Sequence, residues 1–238
     1  MKRQAHDEDP LGVRELLPVE GGTWGGLLFD NPRIRLPLAL TWSFRFPFKE
    51  VVRDYGSNRI FLDIDWLPLP SASWRSMTGQ TVRGASEPAE SSVYFFQHHQ
   101  YDLIDLEILE QQELWLHARA TLTGDLDGLG MDPVTADGWL RFEGIRVHLT
   151  SATSAESALA RLQTATATEG LSYSPSPNSP SFLFAATDSS KHPRGNTRIP
   201  SKSCCWSTST VDPTAWDGQQ RPQNHPLRVS QVKPPRHR

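Results

Sequence analysis

The chain has 238 residues, with 37% apolar residues against the ~45–50% usual for a globular domain, and its net charge is only -3. That near-neutral total hides a division: residues 1–169 carry 15 Lys/Arg against 24 Asp/Glu, and residues 170–238 carry 9 against 3. An acidic body argues against nucleic acid, because phosphate would be repelled. No run approaches ~18 apolar residues, so no membrane-spanning helix is expected. The charged opening MKRQAHDEDPLG has no apolar run after it and does not read as a secretory signal. Cys204 and Cys205 are neighbours, unsuited to a structural disulfide or a metal knuckle, so a reduced, cytoplasmic protein is expected.

In chain order, residues 1–21 read as a flexible polar arm broken by Pro10 and Pro18, with a short helical turn at Val13–Leu17. GGTWGG follows. Over Gly22, Thr23 and Trp24 it resembles the G-x-W of the first strand in lipocalin-like barrels, and that resemblance implies a barrel enclosing a small apolar ligand. No second motif of that family accompanies it, and a glycine-rich entry to a first strand gives the same residues. LPLALTWSFRFPF then places Leu36, Leu38, Leu40, Trp42, Phe44, Phe46 and Phe48 at every second position, the period of a strand with one buried face. RIFLDIDWLP predicts another strand, with Leu62, Ile64 and Trp66 on the core side and Phe61, Asp63 and Asp65 opposite. Residues 71–92 are polar and without period, hence a long loop. DLIDLEIL and ELWLHARATL, separated only by Glu110–Gln112, have hairpin spacing. GWLRFEGIRVHL changes phase at Glu143–Gly144, as a β-bulge requires.

The one helix is expected over 153–168, with a Thr153/Glu156 capping box and a stripe of Ala155, Leu159 and Leu162. Past Gly170, Pro, Ser, Thr and basic residues dominate without periodicity. Residues 170–238 therefore read as a disordered basic tail, functional or an out-of-frame extension. The expected architecture is mainly β: an antiparallel β-sandwich or barrel over 22–169, closed by the single C-terminal helix and followed by that tail.

The candidate chemistry is sparse. In LTGDLDGLGMDP, placing Asp125 at position 1 of a calcium loop puts Asp127 at 3 and Gly130 at 6, but Leu129 and Ala136 fall at 5 and 12. Asp125, Asp127 and Asp132 are thus either a weak calcium site or turn residues between two strands. His98 and His99 point to opposite faces. One of them could meet His117 and His148 in a three-histidine zinc site if their strands are neighbours. Asp63 and Asp65 share a strand face, as do Asp105 and Glu107. No GxSxG, P-loop or GxGxxG is present.

The expectation is a non-enzymatic binding module: a protein-interaction domain whose acidic surface meets a basic partner. Asp63, Asp65, Trp74, Trp115 and His117 are the candidate contact residues. Three other readings compete: a ligand-enclosing barrel, a metal-dependent hydrolase on the histidine face, and sugar stacking on exposed Trp74 and Trp115.

Overall fold

The computed structural model describes residues 11–31, 36–54, 56–71, 73–175, 181–187 and 193. Most of the tail, from 194 onward, lies outside them, as do residues 1–10 of the arm. Seven strands form the body: β1 (Gly22–Asn31), β2 (Leu36–Pro47), β5 (Phe61–Leu67), β7 (Glu90–Phe95), β8 (Gln97–Gln112), β9 (Trp115–Asp125) and β10 (Val134–His148). They pair antiparallel in that order, and β1 then pairs parallel with β10, closing the ring into a barrel. Two short strands, β3 (Val51–Arg53) and β4 (Gly56–Asn58), make a separate hairpin; β6 (Thr81–Ala85) lies on β8 beyond the end of β7.

Period-two patterning fills the interior. Leu28, Trp42, Phe44, Leu62, Ile64, Val93, Leu116, Ala118, Ala120 and Leu122 are all buried, and they come from five different strands. Four aromatic rings form a continuous chain of contacts inside this core. Trp24 lies 5.7 Å from Trp42 and 4.6 Å from Phe142, and Phe142 lies 4.7 Å from Trp74 at an interplanar angle of 6°. Trp24 also donates its indole N–H to the Leu114 carbonyl at 3.2 Å, so its polar atom is satisfied where it is buried.

The structure corrects several expectations. The arm is docked from Leu11, which is buried; a 3-10 turn at Val13–Glu15 carries Glu15 to Arg53, which grips it through two bonds of 2.8 and 2.9 Å. The polar segment after Ser71 is not an open loop. It turns inward to bury Trp74 and Met77, held by Gln111, whose amide accepts from Met77 N–H and donates to the Trp74 carbonyl, both at 2.9 Å. Its second half supplies β6 and the start of β7.

The helix α1 is shorter than expected, Ala155–Leu162. Its cap is Ser154 with Ser157, one residue later than the Thr153/Glu156 pair, and it buries Ala158 and Leu162. The barrel sheet also continues past residue 169. β11 (Leu171–Ser174) pairs with β12 (Phe182–Ala186), which pairs with β10 over Ile145–Val147. Leu171, Tyr173, Phe182 and Phe184 supply alternation that the surrounding Ser and Pro obscure. Among the described residues no helix is long and apolar enough to cross a membrane.

Candidate functional site

The strand register builds one cleft on the outer wall of the barrel, of about 270 Å³. Its floor is a single lateral row. Ser43 on β2 lies opposite Gly25 on β1. Beyond Ser43, the β2–β5 register slips: Trp42 faces Leu67 and Phe44 faces Ile64, so Asp65 and Trp66 together oppose Ser43. Beyond Gly25, the β1–β10 register slips in the same way: Trp24 faces Phe142 and Gly26 faces Ile145, so Glu143 and Gly144 together oppose Gly25. Two β-bulges thus sit at opposite ends of one row, with only a serine and a glycine between them. Bulges re-aim side chains, and they concentrate beside functional sites.

The glycines are required by space as well as by curvature. A Cβ on Gly25 would stand 2.9 Å from the Gly144 carbonyl oxygen, and one on Gly144, at φ 115°, would stand 2.6 Å from the Phe184 carbonyl oxygen. Three strand-to-strand steps of ~4.8 Å, about 14 Å along the curved wall, lie between Asp65 and Glu143.

The adjoining rows make the walls. On one side Asp63, Arg45 and Thr23 follow in register on β5, β2 and β1. Arg45 grips Asp63 through Nε–Oδ1 at 2.7 Å and Nη2–Oδ2 at 3.2 Å, and its guanidinium lies 5.0 Å from the centre of the Phe61 ring. The Asp63 side chain is 4% exposed and that of Arg45 is 52% exposed. Burial pushes the Asp63 carboxyl above its ordinary range, and Arg45 opposes that push without cancelling it. The hydrogen bonds from Arg45 to Asp63 hold the guanidinium more firmly charged, helped by Asp65 and Glu143 nearby. On the other side Leu27 lies in register with Thr41 and Arg146. The side chains of Asp65, Glu143 and Arg146 make no hydrogen bond or ion pair among the described residues. The cleft therefore holds one hydrogen-bonded ion pair and three charges without a direct ion-pair partner, two of them negative and close enough to support the charge on Arg45.

Of the candidate contact residues, Asp63 and Asp65 line this cleft and the others do not. Trp74 is fully buried and Trp115 is 8% exposed, so neither offers a face to a sugar; both faces of the chain are covered at Leu114–Leu116. Trp66, expected in the core, is 42% exposed instead, because the bulge at φ 59° turns it outward and Leu67 takes its place opposite Trp42. His117 stands elsewhere on the outer face, with Nε2 2.7 Å from Asp137 and its ring stacked 5.2 Å from Trp139.

The histidines do not converge. His117 pairs with Trp139, nine residues from His148, which is about 30 Å along β10. His98 bonds Ser92 Oγ at 2.9 Å on the outer face. His99 lies within the barrel, 4% exposed, with neither ring nitrogen hydrogen-bonded.

The loop aspartates are turned toward backbone. Asp125 accepts from Gly128 N–H at 2.9 Å and Gly130 N–H at 2.7 Å. Asp127 accepts from Gln100 N–H at 2.7 Å, and Asp132 from Gly124 N–H at 2.9 Å. They organise the β9–β10 connection in the way Asx residues organise turns. No group of three or more His, Cys, Asp or Glu is placed to hold a metal ion among the described residues.

Sequence reasoning does not single out Glu143 or Gly25 as site residues, although the phase change at Glu143–Gly144 is the signal that leads to both. Compared with models of known families, with curated proteins and with solved structures, the chain matches none of them.

Proposed function

We propose that this barrel is a protein-interaction module whose double-bulge cleft takes basic side chains of a partner. The observation that carries this reading is the placement of Asp65 and Glu143, neither in a direct ion pair, at the two ends of a row whose middle has almost no side chain. Charges of this kind steer encounter and fix specificity more than they add raw affinity. The acidic excess of residues 1–169 adds long-range attraction of the same sign.

The test is calorimetric titration of the full chain with an oligolysine peptide at two salt concentrations, with oligoglutamate as the control. Oligolysine should bind and weaken with salt, and Asp65→Asn or Glu143→Gln should each weaken it about two- to fivefold at low salt. Undiminished binding by the double variant would place the interaction elsewhere.

A further inference from the structure

The arm ahead of the barrel is seated as a bound peptide is seated. Leu11 at its start is buried. Glu15 is gripped by both terminal nitrogens of Arg53, whose side chain is 7% exposed and whose guanidinium lies 5.6 Å from the centre of the Phe95 ring. Leu17–Val19 then pairs antiparallel with the end of β2, past the reach of β1. There Lys49 N–H donates to the Leu17 carbonyl at 2.8 Å, and Val19 N–H donates to the Pro47 carbonyl at 3.1 Å. A buried guanidinium that takes a carboxylate in two bonds, beside a strand end that takes main-chain bonds, is a seat built for an extended acidic segment. None of its residues lines the acidic cleft.

The arm's hold is local. Its 3-10 turn buries no residue, and Val13, Leu17 and Val19 are exposed. It joins β1 through Gly21, which has φ 98° and open space where a Cβ would stand, so this hinge swings at little cost. We propose that two chains exchange these arms, residues 11–20 of each copy filling the seat of the other, with Glu15 of one bonded to Arg53 of the second. The occupant is the segment whose fit the structure displays, and every copy carries it. Each contact made within a chain is therefore remade between chains. A lifted arm leaves a desolvated cation without its carboxylate, which favours capture of another arm. In a reciprocal exchange the two hinges lie side by side. Leu17 and Val19 of both copies then come together and bury apolar surface that a single chain leaves in water.

A short link holds an arm near its own seat at an effective concentration of roughly mM, so the test removes that competitor. Glu15→Arg and Arg53→Glu each set like charges against one another within a chain. Mixed one to one as full chains, the two variants regain both ion pairs only by exchange. Sedimentation should show at least threefold more dimer in the mixture than in either variant alone. The double variant Glu15→Arg, Arg53→Glu, which repairs the pair within one chain, should sediment as the parent chain does. A mixture that sediments as the sum of its parts would overturn the exchange. Should Arg53→Glu fail to fold, NMR titration of the parent chain with a synthetic peptide of residues 11–20 decides. The peptide should displace the arm, shift the Lys49 and Phe95 amides, and bind at least tenfold weaker when it carries Glu15→Gln. No displacement would overturn the exchange. So would peptide binding with both variants folded and no mixed dimer, an outcome that gives the seat to a foreign acidic segment. The cleft is tested separately, by its own variants.

Discussion

Arg45 closes two hydrogen bonds on a carboxylate that water barely reaches: Asp63 is 4% exposed at its side chain, while its guanidinium partner is half in solvent. The pair is therefore asymmetric. Removing the cation strands a buried carboxylate, whereas replacing the carboxylate by its amide leaves a cation that water can still solvate. Arg45→Ala should cost about 2–3 kcal/mol, below the ~3–5 kcal/mol of fully buried pairs because Arg45 is half screened, and Asp63→Asn clearly less. Urea melts of both variants at neutral pH measure the difference. Equal losses would mean that burial of Asp63 is not what sets the energetics.

Acid should act chiefly through another pair. Arg53 holds the Glu15 carboxyl down at about 2, from an ordinary 4.5. A lowered folded-state value means stability that is present above pH 4.5 and lost as pH falls toward 2. Asp63 has the opposite sign: burial raises it, so its contribution is fullest when protonated and fades as pH rises through its folded value. Glu15→Gln should therefore flatten the decline in stability between pH 4.5 and 2, measured by melts across that window. An unchanged slope would show that the arm does not stay docked through Glu15.

The inward-turned segment after Ser71 depends on Trp74. Its stacking on Phe142 and complete burial predict that Trp74→Ala costs about 3–5 kcal/mol. Hydrogen exchange should then show Met77 and Gln80 amides losing protection first. A loss below about 1 kcal/mol would mean that the segment is not part of the core.

The wall of the cleft makes its own demand. Gly144→Ala puts a Cβ against the Phe184 carbonyl at a backbone angle of φ 115°, and should cost about 1–3 kcal/mol while loosening β12 from β10. Thermal melts check the first effect and exchange at Phe184 the second.

The β9–β10 loop gives a contrasting expectation. Asp125→Ala should remove acceptors from two glycine amides and cost about 1 kcal/mol, with calcium leaving the melting temperature of the parent chain unmoved. A calcium-dependent rise would restore the metal reading of that loop.

Much of the barrel is legible because strands with one wet face announce themselves. Leu36 to Phe48 alternates without a break, and β2 is the strand it predicts. Whatever breaks the alternation is hidden. At Trp66 one extra residue turns an apparent core side chain to solvent, and period-two counting carries straight past it. Leu171–Ser174 and Phe182–Ala186 disappear into Ser- and Pro-rich composition because a four- or five-residue edge strand leaves a weak pattern. Trp74 lies in a segment whose burial depends on Gln111, distant in the chain. The site is half legible for the same reason. Asp63 and Asp65 stand out as a pair on one strand, but Glu143 becomes their counterpart only through the β1–β10 pairing, which is long-range and parallel.

The most direct measurement is an amide chemical-shift map of the full chain titrated with a basic peptide. The cleft reading predicts the largest shifts at Gly25, Ser43, Asp65 and Gly144, diminished by high salt and lost in the Asp65→Asn, Glu143→Gln double variant. Shifts centred on Asp125–Asp132 or on His117 and Trp139, or none at any residue, would contradict it.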